Sequence, residues 1–127
     1  MRWKCPQLPF KLNYIWKYNR EKLGVIKLND GKYPFSEWLD SLPDIKTKAI
    51  IRARLDRVEE GNLGDCEPVG EGVFELRIHY GQGYRLYFGQ DKKIIIILLL
   101  GGDKSTQGKD IEKAKEYWKN YKSRNDA

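Results

Sequence analysis

The stretch Phe74-Glu75-Leu76-Arg77-Ile78-His79-Tyr80, followed by Gly81-Gln82-Gly83 and then by Tyr84-Arg85-Leu86-Tyr87-Phe88, decides the fold of this chain. Apolar and polar residues alternate along both halves with a period of two, which predicts two half-buried strands. The glycine-containing triplet between them predicts a turn, so the two strands form an antiparallel hairpin. In that register Arg77, His79, Arg85 and Tyr87 share the polar face of the sheet.

An apolar run from Ile94 to Leu100 follows the hairpin and contains seven consecutive isoleucines and leucines. Such a run predicts a strand buried on both faces, at the centre of the sheet, and it is too short to cross a membrane. Gly101-Gly102-Asp103-Lys104-Ser105 closes it. Cations therefore lie at the edges of three consecutive strands, an arrangement that suits binding of a phosphodiester backbone.

The remaining elements are predicted from residues that begin or end helices and from the helical spacing of apolar residues. A weakly alternating segment at Gly24 to Leu28 predicts a first strand, and Pro34 opens a short helix that Pro43 ends. Asp44 begins a second helix, and Lys109 to Tyr121 predicts a last one, with apolar residues at helical spacing in both. The order β-α-α-β-β-β-α predicts a small α+β domain whose antiparallel sheet packs against helices.

Charge is distributed unevenly along the chain. The net charge is +6, but residues 1–20 hold five cations and no acid, so the other 107 residues carry a net +1. Within those, residues 44–57 hold five basic and two acidic residues, whereas residues 59–76 hold six acids and no base. Non-specific attraction to phosphate depends on clustered charge, and the clusters here predict a polarised surface.

Metal, cofactor and targeting signals are weak. The cysteines Cys5 and Cys66 match no metal-binding spacing, and His79 is the only histidine, so we expect no metal site and no cofactor. The first 20 residues are interrupted by prolines and scattered cations, so they do not form the apolar core of a signal peptide. We therefore expect a cytoplasmic protein.

Several motifs carry a family resemblance: Pro34-Phe35 with Glu37-Trp38-Leu39, Gly70-Glu71-Gly72-Val73 before Glu75-Leu76-Arg77, Gly83-Tyr84-Arg85, and Gly101-Gly102-Asp103-Lys104-Ser105-Thr106-Gln107. The chain resembles the RelE/ParE superfamily of type II toxin–antitoxin toxins, in the HigB-like group called addiction-module killer proteins. The similarity spans residues 22–122. It leaves residues 1–21 as a basic N-terminal extension and residues 123–127 as a C-terminal tail.

The resemblance implies an endoribonuclease that cuts messenger RNA in the ribosomal A site and so inhibits translation. It also implies a cognate antitoxin with a helix-turn-helix DNA-binding domain that holds the toxin inactive, and it implies neither a small-molecule ligand nor a membrane. Arg77 matches the family's arginine after the leucine of the second strand, and Lys104 matches the basic residue just after the last strand.

Cleavage by a 2′-hydroxyl needs a base, an acid and positive charge on the crowded phosphorus. Arg77 and Arg85 suit the charge role because a guanidinium binds phosphate through two donors and does not readily lose its proton. Lys104 could supply charge or a proton. His79 is the natural general base, since histidine is the residue type whose ordinary pKa lies near neutral pH; alternatively it is an exposed strand-end histidine, or one hydrogen-bonded to Glu75.

Further RNA contacts are predicted on the second helix and on the sheet. Lys46, Arg54 and Arg57 fall within one sector beside the apolar stripe of that helix, although a solvated charged face is the default explanation for such residues. Tyr87 is the best candidate to stack on an RNA base, whereas Tyr80 and Tyr84 are expected in the core.

The sequence departs from the ribonuclease members of the superfamily and leaves two alternatives open. Those members carry lysines before the second strand, where this chain has acids and no base between Leu63 and Glu75. A ParE-like poison of DNA gyrase shares the fold without a catalytic set. A degenerate member would act only as an antitoxin-binding module.

Overall fold

The computed structural model describes residues 23–91 and 95–125. A mixed sheet of five strands, ordered β1-β5-β4-β3-β2, lies between two helices on one face and one helix on the other. The bounds of the strands are β1 Leu23–Val25, β2 Cys66–Gly70, β3 Val73–Ile78, β4 Tyr84–Asp91 and β5 Ile95–Asp103. The helices are α1 Pro34–Ser41, α2 Ile45–Glu59 and α3 Gln107–Asn125, with a short 3-10 turn at Lys104–Thr106 before α3.

The predicted hairpin is confirmed as the antiparallel pair β3–β4. Its register places Glu75 opposite Tyr87, and Arg77 opposite Arg85. Alternation then gives the two faces different contents: Leu76 and Leu86 pack into the core under α1 and α2, while Val73 and Tyr87 pack under α3. The arginines of both strands therefore lie on the α3 side of the sheet.

The predicted sheet differs from the observed one in three respects. The sequence pattern does not predict β2, because its proline and closing glycine weaken the strand signal; β2 is an edge strand, where a proline is tolerated. β1 pairs with β5 in parallel, so the sheet is mixed. β5 is buried on both faces as predicted, but it is second in the sheet, and β4 occupies the centre.

Helix ends follow their sequence signals. Pro34 opens α1, and Asp44 caps α2 by accepting hydrogen bonds from Lys46 N and Thr47 Oγ1. α3 docks through the predicted stripe, with Ala114 and Trp118 buried, and it continues to Asn125, which is further than the apolar pattern indicated. The predicted basic extension at residues 1–21 lies outside the described residues.

Candidate functional site

A fully buried carboxylate organises the α3 side of the hairpin. Glu75 has no exposed surface, although it is a charged residue on a strand. A carboxylate in this setting is stable only when cations and hydrogen-bond donors compensate for its lost hydration. The neighbouring residues on β3, β4 and α3 supply both.

Two arginines and one glutamine surround that carboxylate. Arg77 Nε donates to Glu75 Oε1 at 3.0 Å, Arg85 Nε forms an ion pair with Glu75 Oε2 at 3.4 Å, and Gln107 Nε2 donates to Oε2 at 3.0 Å. The hydrogen bond to Glu75 raises the pKa of Arg77 above its ordinary value. Each guanidinium thus turns its Nε edge toward the protein, which leaves its terminal nitrogens as the donors that can reach a ligand.

The arginines open onto a cleft of about 340 Å³ between the β3–β4 turn and the 3-10 turn after β5. Its walls include Arg77, Arg85 and Lys104, together with His79. We call this space the cationic cleft. The side chains of Arg77 and Arg85 are 35% and 13% exposed, so both are shielded in part from solvent, while Lys104 is exposed at the rim. Gly83 has a φ of +79°, which favours glycine, and a Cβ there would make ordinary contacts, 3.9 Å from Arg85 Nη1 and 3.8 Å from Lys104 Cβ.

His79 lies just beyond the end of β3 and is paired with Asp65, a partner that the sequence does not predict. Its Nε2 is 2.5 Å from Asp65 Oδ2, and its side chain is 76% exposed. Glu75, the residue suggested above as a partner of His79, is instead paired with Arg77 and Arg85. Asp65 precedes β2 and comes close because its carbonyl accepts a hydrogen bond from Arg77 N at 3.0 Å, a strand-to-loop contact with no short-range sequence signal.

The predicted stacking role of Tyr87 is wrong for this structure. Tyr87 is completely buried among the residues under α3, so its ring offers no surface to an RNA base. Burial, followed by the negative charge of Glu75, raises the pKa of its hydroxyl well above the ordinary value. Tyr80 and Tyr84, expected in the core, are partly buried against the cluster under α1 and α2.

The three cations predicted on α2 differ in their exposure and in whether they line a groove. Arg54 is buried, and its Nη2 donates to the carbonyl of Asp65 at 3.2 Å, while Arg57 is exposed. Both line a groove of about 420 Å³ that adjoins the cationic cleft. Lys46 is exposed at the first turn of α2 and is not among the residues of that groove.

Asp103, the last residue of β5, caps the 3-10 turn. Its Oδ1 accepts hydrogen bonds from Ser105 N at 2.8 Å and from Ser105 Oγ. This contact fixes the chain direction where Lys104 leaves β5. Among residues 23–91 and 95–125 no group of histidine, cysteine and acidic side chains has the arrangement of a metal site, and no helix there is long and apolar enough to span a membrane.

Comparison with known proteins places the chain in a family. The family model described as Phage derived protein Gp49-like (DUF891) matches residues 37–119, which contain the second half of α1, all of α2, strands β2 to β5 and most of α3. The chain belongs to this family. Gp49-like proteins are a toxin-like family related to addiction-module killer proteins, so the family is consistent with a toxin of a toxin–antitoxin system.

One similar protein comes from Haemophilus influenzae and is described as an uncharacterized protein. It is 52% identical over 81 residues, which cover 64% of this chain and 82% of that protein. No solved structure matches the chain. The Gp49-like match includes every residue of the cationic cleft, so the cleft lies in the part of the chain that defines the family.

Proposed function

We propose that this Gp49-like protein is the toxin of a toxin–antitoxin pair and acts as an endoribonuclease on messenger RNA, with the ribosome as the place of cleavage. The observation that carries the proposal is the cationic cleft, in which Arg77, Arg85 and Lys104 converge around one opening beside His79. A cleft lined by guanidinium and ammonium groups favours the extra negative charge that a phosphodiester gains in its transition state.

Each residue has a distinct chemical role in this proposal. The imidazole of His79, held by Asp65, takes the proton of the 2′-hydroxyl, and the freed oxygen attacks the adjacent phosphorus. Arg77 and Arg85 bind the non-bridging oxygens through their terminal nitrogens. The bond to the 5′-oxygen breaks, Lys104 gives that oxygen a proton, and the products are a 2′,3′-cyclic phosphate and a free 5′-hydroxyl.

Primer extension on a message in a translating extract tests the proposal. We expect new cuts with the wild-type protein and a loss of at least about a hundredfold in cleavage rate for Lys104→Ala, since general acid–base groups contribute that much or more. Lys109→Ala is the matched control, because Lys109 is an exposed lysine on the first turn of α3 and outside the cleft. Arg77→Ala should also abolish the cuts.

An intact message from a protein that still arrests growth would overturn the nuclease proposal. In that case plasmid relaxation by gyrase should be measured, since inhibition there would indicate a ParE-like poison. A purified protein that neither cuts message nor slows growth would leave the antitoxin-binding module as the remaining function.

We further propose that the cognate antitoxin masks the cationic cleft with acidic side chains. Charge complementarity of this kind sets association rate and specificity at interfaces. Binding of the antitoxin to the Arg77→Ala, Lys104→Ala double variant should be weaker and less dependent on salt than binding to the wild type. Unchanged affinity of the double variant would show that the antitoxin binds elsewhere.

A further inference from the structure

The groove beside α2 is a second cation-lined space next to the cationic cleft. Arg54 and Arg57 project into it from α2, Asn62 follows the helix, and Ile50 and Ala53 supply apolar walls. The groove shares Arg77 and His79 with the cationic cleft, so the two spaces are neighbours at the end of the sheet. We call it the α2 groove.

Arg54 is the unusual residue of this groove. Arg54 is only 9% exposed, and among the described residues its guanidinium donates to the carbonyl of Asp65 and forms no ion pair with a carboxylate. The carboxylate of Asp65 instead faces His79. A buried guanidinium without an ion-pair partner is costly, because a carbonyl returns only part of the hydration that the charge has lost.

The loop before β2 is shaped to hold this guanidinium in place. Gly64 has a φ of +62°, and a Cβ there would lie 2.8 Å from Arg54 Nη2 and 2.9 Å from Arg54 Cζ. The guanidinium therefore lies against the backbone at a position that only glycine fits without displacing it. Arg54 is a positioned group and not a mobile surface arginine.

A second cation increases the positive potential of the groove. Arg57 is close enough that its charge, after burial, is the next cause that lowers the pKa of Arg54. Two like charges this near each other repel, and the repulsion disappears when an anion binds between them. Asp65 also lines the groove, and its negative charge favours the charged form of Arg54, but its carboxylate is paired with His79. The two arginines can therefore bind an anion, with the exposed Arg57 able to reach a ligand and Arg54 fixed behind it.

We infer that the α2 groove is a phosphate subsite for single-stranded RNA, and that it binds the phosphate next to the one held in the cationic cleft. This inference rests on the proposed function, which places the scissile phosphate in the cationic cleft. Phosphates recur at every nucleotide, so a strand that passes Arg77 and His79 carries a neighbouring phosphate into the groove. The apolar walls from Ile50 and Ala53 accommodate the intervening sugar.

The test is a binding measurement that does not require cleavage. A fluorescent single-stranded oligoribonucleotide with 2′-O-methyl groups cannot be cut through its 2′ oxygens, so its fluorescence anisotropy reports affinity alone. The full chain carries Arg57→Gln or, as the matched control, Arg52→Gln, which removes the same charge from an exposed position of α2 that does not line the groove. Titrations are repeated over a range of salt concentrations.

We expect Arg57→Gln to weaken binding about tenfold more than Arg52→Gln, the loss of one charge-assisted hydrogen-bonding group. The slope of log K against log salt should fall by about 0.7, the value for one phosphate contact on a single strand. Equal affinities and equal slopes for the two variants would overturn the subsite. Weaker antitoxin binding by Arg57→Gln with unchanged RNA binding would overturn it too, and would make the groove a protein-docking surface.

The outcomes separate this inference from the nuclease proposal. If Arg57→Gln shows the expected loss of affinity and slope while the wild type cuts no message, the subsite stands and the nuclease proposal fails. If the wild type cuts translated message but Arg57 and Arg52 variants bind alike, the nuclease proposal stands and the subsite fails.

Discussion

The carboxylate of Glu75 holds both arginines of the cationic cleft, so its removal should affect stability and activity together. Glu75→Gln keeps the shape of the side chain but leaves Arg77 and Arg85 without their counter-charge in a buried setting. We expect a loss of about 3 kcal/mol in the free energy of unfolding, measured by urea denaturation, since breaking a buried ion pair costs that much. Glu60→Gln, an exposed substitution after α2, should stay within about 0.5 kcal/mol of the wild type. Equal midpoints for the two variants would show that Glu75 is not the partner that stabilises the arginines.

Gly64 offers a second comparison between single residues. Gly64→Ala introduces a methyl group against the guanidinium of Arg54, whereas Gly31→Ala meets nothing within 4 Å, although both residues have positive φ values. We expect Gly64→Ala to cost about 1 kcal/mol more in urea denaturation, because moving Arg54 breaks its hydrogen bond to Asp65. If Gly31→Ala costs as much or more, the backbone conformation dominates at both positions and Arg54 is not fixed by the loop.

Some residues of the site could be placed from the sequence, and others could not. Arg77 and Arg85 could be paired from alternation alone, because one hairpin register sets which residues face each other. Tyr87 could not be separated from them, since alternation assigns a face but does not reveal that α3 covers that face at Tyr87 and leaves it open at the arginines. Asp65 approaches His79 across 14 positions through a loop, and such a contact has no local signature.

At the scale of elements, two helices dock on opposite faces of the sheet through the same kind of contact, a tryptophan ring packed over a glycine. The ring of Trp118 on α3 lies over Gly89 of β4, and the ring of Trp38 on α1 lies over Gly101 of β5; a Cβ on either glycine would overlap the ring above it. Each glycine therefore leaves the space that the tryptophan ring of the helix fills.

Adding one methyl group tests this docking. Gly89→Ala should destabilise the protein by about 1–3 kcal/mol, because an overpacked core must displace the buried Trp118. Gly24→Ala in β1 is the control, since its Cβ would make an ordinary contact of 3.6 Å with Ile97; it should be neutral or slightly stabilising. Urea denaturation gives both values, and tryptophan fluorescence should change for Gly89→Ala alone. Similar stabilities would mean that α3 shifts to accept the methyl group at little cost.

The elements themselves were predictable to different degrees. Long periodic segments such as α2 and the hairpin carry strong signals, because many residues repeat one pattern. β2 and the parallel pairing of β1 do not, since β1 has three residues and β2 contains Pro68, and each joins the sheet through pairing with a longer strand.

At the scale of the whole molecule, stability in alkali should depend on Tyr121. Burial, then its hydrogen bond and proximity to Asp91, raises the pKa of Tyr121 to about 12, from an ordinary value of 10.0; its hydroxyl donates to Asp91 Oδ2 at 2.8 Å. The folded protein thus holds this proton more tightly than the unfolded chain, so the contribution is fully present below pH 10 and is lost as the pH rises through about 12. Tyr121→Phe should remove that part of the pH dependence.

Urea midpoints measured across this alkaline range check the expectation, with tyrosinate absorbance reporting the titration itself. The Tyr121→Phe variant should be less stable than the wild type near neutral pH and should lose less of its stability on going to pH 12. Parallel curves for the two proteins would show that the hydroxyl contributes nothing to alkaline stability.

The position of Glu75 also ties the cationic cleft to the folding of the whole chain. Its partners come from β3, β4 and the start of α3, so the carboxylate loses water only when the hairpin and the C-terminal helix have assembled together. A partly folded chain, with α3 detached, would leave Glu75 and the two arginines solvated. Formation of the cleft is therefore cooperative with global folding, and hydrogen exchange at the amides of β3 and β4 around Glu75 should require opening of the entire domain.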